Sequence, residues 1–150
     1  MKKLLVLFTL LTISISCKSS DDNIDCAAVT CEASSYYIKI IDSETGNNYV
    51  TENNITDNNI TIKNTENDAI YFYIVSTINE DYNNTISISL NTLNNESITI
   101  DNLSELETSY STTITDTNSC CPNILIQDFT VFTEYNYTFD YELNILTIYV

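Results

Sequence analysis

TISISLN (residues 85–91) and SITID (97–101) place isoleucine or leucine at every second position, with polar residues between them. IKIID (38–42) and NITIK (59–63) repeat the alternation. Because successive side chains of a strand point to opposite faces, this pattern predicts strands with one buried and one solvated face, typical of antiparallel sheets. Short polar segments separate them. The chain is therefore predicted to be all-β, a single antiparallel β-sandwich, Ig-like or transthyretin-like, of about seven to nine strands.

Three other segments indicate how the strands are arranged. AIYFYIVSTI (69–78) is apolar on both faces, which predicts a central strand. IDSETGNNYV (41–50) predicts a tight hairpin in which Gly46 takes a positive φ. LSELETSY (103–110) has a weak helical period, and we expect a loop there that leads into a strand over SYSTTIT (109–115).

The first sixteen residues, MKKLLVLFTLLTISIS, have the parts of an export signal. Two lysines precede an apolar run from Leu4 to Leu11, and the small residues Ser14 and Ser16 follow. The run is much shorter than the roughly 20 residues that cross a bilayer as a helix. We therefore expect residues 1–16 to be a signal peptide, with ordinary signal peptidase and lipoprotein processing both open as routes.

The stretch S-I-S-C (14–17) resembles the lipobox of bacterial lipoproteins, in which the cysteine receives palmitate-type acyl chains and the chain is cut before it. It departs from the usual pattern in lacking leucine three residues before the cysteine. KSSDD (18–22) is similar to the acidic tag of surface-exported lipoproteins of the Bacteroidota. The resemblance implies an outer-membrane lipoprotein anchored by its acyl chains at Cys17. It also implies a lipidated tether over 17–30 and a sandwich domain over 31–150 that faces the cell exterior, with the periplasm as the alternative.

Removal of the signal takes away Lys2 and Lys3 and leaves three basic against 21 acidic residues, a net charge of −18. Such a chain repels nucleic acids and anionic lipid head groups, so we expect no nucleic-acid partner and contact with the membrane only through the anchor. The chain has no histidine, which excludes Ser-His-Asp and Cys-His nucleophiles. Its single glycine excludes glycine-rich phosphate loops, and neither a cofactor nor a metal is indicated.

Four cysteines remain beside the anchor, an even number in an exported chain: Cys26, Cys31, Cys120 and Cys121. We expect them to form disulfides. Of the three pairings, two tie the start of the domain to the loop before the last strands. The third joins 120 to 121 and 26 to 31. Zinc bound by four thiolates is the rival, but C-x2-C spacing is missing, and C-x4-C does not fit a C-x-x-C redox pair.

FTVFTEYNYTFDYE (129–142) is the segment that best indicates a ligand surface. Six apolar side chains occupy odd-numbered positions, which lie on one face of a strand: Phe129, Val131, Tyr135, Tyr137, Phe139 and Tyr141. If the chain turns near Tyr135 and Asn136, they form a cross-strand aromatic face. Such a face is core in most proteins, whereas an exposed one stacks sugars or contacts a protein. Tyr135, Tyr137 and Tyr141 are the candidate binding face.

C-x4-C (26–31), IDSETG (41–46) and CCP (120–122) together look like a set of small Bacteroidota lipoproteins that has no assigned biochemical activity. The resemblance spans most of the chain after the signal and implies a secreted, disulfide-tied β domain without catalytic residues. The resulting hypothesis is a lipid-anchored cell-surface module for binding or structure, with a glycan or protein ligand and no enzymatic activity.

The alternative from another class is a hydrolase that acts on glycans through two carboxylates roughly 5 to 10 Å apart. Glu80 with Asp81, or Glu105 with Glu107, would supply them. DSETG (42–46) also offers oxygen ligands for calcium. Its spacing does not match an EF-hand loop, however, and a hairpin turn explains the motif without metal.

Overall fold

Nine strands in two sheets make up most of the described structure. The computed structural model describes residues 34–90, 95–115, 121 and 123–150. Within these ranges the strands are β1 (Ser35–Ile41), β2 (Ile60–Asn64), β3 (Phe72–Ile74), β4 (Ile86–Ser89), β5 (Asn95–Ile100), β6 (Leu106–Ile114), β7 (Ile124–Phe132), β8 (Asn136–Asp140) and β9 (Ile145–Tyr149). A short helix, α1 (Tyr49–Glu52), and a 3-10 turn (Asp57–Asn59) lie between β1 and β2. No helix of the described residues is long and apolar enough to cross a membrane.

The strand orders are β3-β4-β1-β9-β8 in the larger sheet and β2-β5-β6-β7 in the smaller one. The predicted all-β sandwich is confirmed, and its strand count falls within the predicted range. Described neighbours are antiparallel except β1 and β9, which run parallel with Tyr37 opposite Ile145. The first and last of the described strands thus lie side by side within the larger sheet.

The core lies between the sheets and is built mainly of isoleucine. Alternate residues of β1, namely Tyr36, Ile38 and Ile40, are fully buried. Ile98 and Ile100 of β5 belong to the same core from the other sheet. Burying one such side chain contributes about 1.5–3 kcal/mol relative to exposing it. The register is therefore strongly specified, because a slip by one residue would turn these side chains to solvent.

The prediction of a central strand over 69–78 is wrong. Only Phe72–Ile74 form a strand, β3, and it lies at the edge of the larger sheet. Phe72 packs against the core, whereas Tyr73 is exposed and Tyr71 is 71% exposed. Tyrosine counts as apolar in a sequence pattern, yet its ring is stable at the surface because its hydroxyl stays solvated. The central place belongs to β1, which pairs with β4 on one side and β9 on the other.

The turn predicted within 41–50 is present, and Gly46 has a φ of 76° as expected. Asp42 holds the turn, since its Oδ1 accepts the backbone N–H of Thr45 at 2.8 Å. This bond is the main cause of a lowered pKa at Asp42. The second strand of the predicted hairpin is replaced by a single bridge followed by α1. Strand β6 begins at Leu106, inside the segment 103–110 predicted to be a loop, so the strand predicted over 109–115 starts three residues earlier than expected.

A β-bulge interrupts the ladder between β6 and β7. Tyr110 of β6 lies opposite two residues of β7, Asp128 and Phe129, so the register shifts by one. Asp128 has a φ of 51°, in the left-handed region that aspartate tolerates better than most residues. The shift reverses the parity of β7: Ile126 is buried before the bulge, and Phe129 is buried after it.

Candidate functional site

The tyrosines predicted as a binding face do not lie on one hairpin. Strand β7 ends the smaller sheet and β8 ends the larger one, so residues 129–142 cross from sheet to sheet. The rings of Phe129 and Phe139 stack with their centroids 4.1 Å apart and their planes 11° apart. The predicted cross-strand hairpin is therefore wrong. The aromatic rings meet between β7 and β8, which are edge strands of different sheets, and they cover the core on that side of the sandwich.

Two of the three tyrosines use their hydroxyls to bind backbone groups. The hydroxyl of Tyr141 accepts the N–H of Phe129 at 3.3 Å, and the hydroxyl of Tyr135 accepts the N–H of Ser104 at 3.0 Å. Tyr137, whose hydroxyl makes no such bond to the described residues, is 39% exposed. Tyr135 and Tyr141 each make a structural contact, and a role in binding stays a prediction for all three.

A row of exposed and half-buried side chains crosses the outer face of the smaller sheet. The strand registers place Lys63 opposite Ser97, Ser97 opposite Glu107, and Glu107 opposite Phe132. Neighbouring strands lie about 4.8 Å apart, so these four residues, the cross-sheet row, span roughly 14 Å. Phe132 is 60% exposed. Its ring therefore lies outside the core, although phenylalanine is usually buried.

Two adjoining clefts lie along the cross-sheet row. The first has a volume of about 220 Å³ and is bounded by Asn64, Asn95 and Phe132, among others. The second, of about 450 Å³, lies over Lys63. Asn64 and Ser97 line both clefts, which therefore share a wall. Most lining residues carry polar side chains, but the wall of the first cleft exposes more apolar than polar surface, whereas the wall of the second cleft is mainly polar.

Glu96, which also borders the first cleft, points into the core on the opposite face of β5. It is 3% exposed. Its carboxylate accepts the hydroxyl of Tyr110 at 2.9 Å and the hydroxyl of Tyr36, which reaches it from the larger sheet. The hydroxyl of Thr108 lies 3.4 Å from the same carboxylate. A buried carboxylate is costly unless it is hydrogen-bonded, and these hydroxyls supply the bonds.

Burial raises the pKa of Glu96, while the three hydroxyl bonds act in the opposite direction. Burial, and then the nearby charge of Glu96, raises the pKa of Tyr36 well above its usual value. Tyr36 is therefore a stable hydrogen-bond donor that links β1 to β5 across the sandwich. Because the carboxylate is almost completely buried and is bonded from both sheets, this cluster joins the two sheets.

Of the carboxylate pairs predicted for a hydrolase, Glu105 and Glu107 come to the clefts. Glu107 lines the first cleft and Glu105 the second, and Glu105 accepts the hydroxyl of Ser97. Glu80 and Asp81 lie in the exposed connection between β3 and β4. Glycoside hydrolysis needs both carboxylates at one bond, whereas these two residues border different clefts. Among the described residues, no group of three acidic or cysteine side chains is placed to hold a metal ion.

Sequence reasoning missed Glu96 and Phe132. Glu96 has the same parity as Ile98 and Ile100, and this alternation was the available signal for a buried carboxylate. Phe132 reaches the outer face because the bulge at Asp128 reverses the parity of β7.

Most of the predicted anchor and disulfide residues lie outside the described residues, namely Cys17, Cys26, Cys31 and Cys120. Cys121 is described and is half-buried. The acyl anchor and the disulfide pairing therefore stay predictions.

Comparisons of the chain with protein-family models, with curated proteins and with solved structures give no match.

Proposed function

We propose that this protein is a lipid-anchored binding module of the outer membrane that faces the cell exterior and has no catalytic activity. The observation that carries the binding role is the cross-sheet row, in which an exposed phenylalanine and polar groups border a cleft. An exposed aromatic ring beside a concave surface offers a flat apolar area on which a ligand can stack. The anchor rests on Cys17 and the signal before it.

The arrangement of the carboxylates favours binding over hydrolysis. Glu96 is enclosed in the core, and Glu107 lies on the outer face of the adjacent strand. Ser97, which pairs with Glu107, follows Glu96 directly, so the two carboxylates point to opposite faces of the sheet. Glu96 and Glu107 therefore cannot act on one glycosidic bond, and Glu105 and Glu107 border different clefts, so binding is better supported than hydrolysis.

Fractionation of cells that express the wild type and Cys17→Ala tests the anchor. We expect the wild type in the membrane fraction and Cys17→Ala in the soluble fraction, because the acyl chains are attached to that sulfur. A labelled fatty acid should mark the wild type and the matched control Ser19→Ala, which changes the tether but keeps the cysteine. Protease added to intact cells should degrade a protein that faces outward. Equal membrane retention of Cys17→Ala would rule out the anchor, and full protease resistance would rule out the outward orientation.

A further inference from the structure

Strands β6 and β7 extend past the rest of the smaller sheet at one end of the sandwich. The outermost pair between β5 and β6 is Asn95 with Ser109, whereas β6 and β7 continue through four further pairs, as far as Ile114 opposite Ile124. We call residues 111–114 and 124–127 the overhang. Because Ile114 lies five residues beyond Ser109, the overhang projects by roughly 16 Å.

The core-facing side of the overhang carries isoleucines that the described residues cover only in part. Ile126 is buried and belongs to the core. Ile124 lies two residues earlier, on the same face, and is half-buried. Ile114 pairs with Ile124, so it also faces the core side, yet it is 53% exposed. Isoleucine on a core-facing side is normally buried, so this face is suited to an apolar covering segment.

The chain enters the larger sheet next to this face. The ring of Tyr36 on β1 lies against the ring of Tyr110 on β6, with their centroids 5.7 Å apart. Ser34, two residues earlier, accepts the N–H of Leu90 at 2.8 Å. Only four residues separate Leu90 from Asn95, so the start of β1 and the overhang lie at the same end of the sandwich. The chain before Ser34 therefore leaves β1 in the direction in which the overhang projects.

The segment before Ser34 is suited to packing on an apolar face. In IDCAAVTCEA (24–33), seven of the ten residues are Ile, Val, Ala or Cys, whereas KSSDDN (18–23) is entirely polar. Alanine, cysteine, valine and isoleucine are among the residues most often buried in proteins. Ten residues span up to roughly 33 Å when extended, which is more than the overhang requires.

We infer that residues 24–33 dock on the core-facing side of the overhang and cover Ile114 and Ile124. A second copy of the chain is a less suitable occupant, because each copy without its signal carries a charge of −18 and the copies repel each other. The inference goes beyond the proposed function. It makes the domain begin at about residue 24 and leaves only residues 18–23 as the tether to Cys17.

Docking of this segment also selects among the disulfide pairings. An extended segment brings Cys31, which lies five residues before Tyr36, about 17 Å beyond that ring. The N–H of Thr115 bonds to the carbonyl of Asn123 at 3.0 Å at the end of the overhang, and Cys121 lies in the connection between these two residues. The Cα atoms of a disulfide lie roughly 4.4–6.8 Å apart. We therefore expect Cys31 to bond to the CCP loop and not to the other N-terminal cysteine.

Photo-crosslinking of the purified full-length protein identifies the occupant directly. The photoreactive residue p-benzoyl-phenylalanine replaces Ile114, and mass spectrometry maps the crosslinks that form on irradiation. We expect intramolecular crosslinks to residues 24–33. The matched control carries the same photoreactive residue in place of Leu125, which lies on the outer face of the overhang and is 40% exposed. This control should give no crosslink to that segment.

The rate at which thermolysin, which cuts beside apolar residues, cleaves within residues 24–33 is the second measurement. Ile114→Asp places a charge beneath the docked segment and should raise this rate about tenfold or more, because cleavage follows the population of the released segment. Leu125→Asp adds the same charge to the outer face and should leave the rate unchanged.

Three outcomes would overturn the inference. Crosslinks from position 114 that reach only a second copy would assign this face to a dimer. Equal cleavage rates in the wild type and Ile114→Asp would show that the segment is not held by this face. Equal acceleration by Leu125→Asp and Ile114→Asp would show a general loosening of β6 and β7 instead of release of the segment.

Discussion

Replacing Glu96 by alanine removes the acceptor that the hydroxyls of Tyr36 and Tyr110 share. Both tyrosines are buried, at 0% and 4% exposure, so neither hydroxyl gains water in exchange. A buried donor without an acceptor costs about 1–3 kcal/mol. Two buried hydroxyls lose this acceptor, and with the cavity left by the carboxyl group we expect Glu96→Ala to lower the free energy of unfolding by roughly 3–6 kcal/mol. That is a large share of the roughly 5–15 kcal/mol that holds a typical domain together.

This loss is measured by urea denaturation, with tyrosine fluorescence as the signal that monitors unfolding. The matched control is Glu107→Ala on the neighbouring strand, which removes the same type of side chain from the outer face and should change the unfolding free energy by about 0.5 kcal/mol or less. If Glu96→Ala cost no more than Glu107→Ala, the hydroxyl cluster would not be a buried network, and the reasoning would fail.

The dependence of stability on pH separates the effect of proton binding at Glu96 from the effect of its side-chain volume. Burial raises its pKa in the folded protein above the ordinary value of 4.5, so the folded state binds this proton more tightly than the unfolded chain does. The stabilisation that comes from proton binding at Glu96 is therefore fully present below pH 4.5 and is lost as pH rises through the raised pKa. The Glu96→Gln variant lacks this titration. The unfolding free energy of the wild type minus that of Glu96→Gln should fall as pH rises, and parallel pH profiles would contradict the assignment.

Three further predictions concern the aromatic contacts between β7 and β8 and the cysteines. Tyr141→Phe leaves the N–H of Phe129 without its acceptor and should cost about 1 kcal/mol in urea denaturation, whereas Tyr137→Phe should be close to neutral. Phe139→Ala removes a ring stacked at 4.1 Å and should lower the unfolding free energy by roughly 3–5 kcal/mol, visible as a lower melting temperature. Non-reducing mass spectrometry should find no free thiol among the four cysteines beyond the anchor and should link the N-terminal segment to the CCP loop. Stoichiometric zinc with four titratable thiols would overturn the disulfides.

The sequence allowed the fold class to be predicted because its informative signal is local. Alternation located β1, β2, β4 and β5 to within a few residues, since each has isoleucines at every second position. Membership of a sheet is not a local property. Nothing near β8 shows that it pairs with β9 instead of β7, and nothing in β1 shows that its parallel partner is the last strand. These pairings depend on contacts between residues far apart in the sequence.

The candidate site could not be located from the sequence for a similar reason, because it depends on how distant residues pair. Strand β7 begins with Ile124 and Ile126 facing the core, and an unbroken strand would keep even-numbered residues inside and bury Phe132. The extra residue at Asp128 turns Phe129 inward instead and sends Phe132 to the outer face, beside Glu107. One bulge therefore completes the aromatic stack that closes the sandwich and also supplies the exposed ring of the cross-sheet row. The sequence carries a trace of this in the parity change between ILI and FTV, with an aspartate, which tolerates a positive φ, at the break.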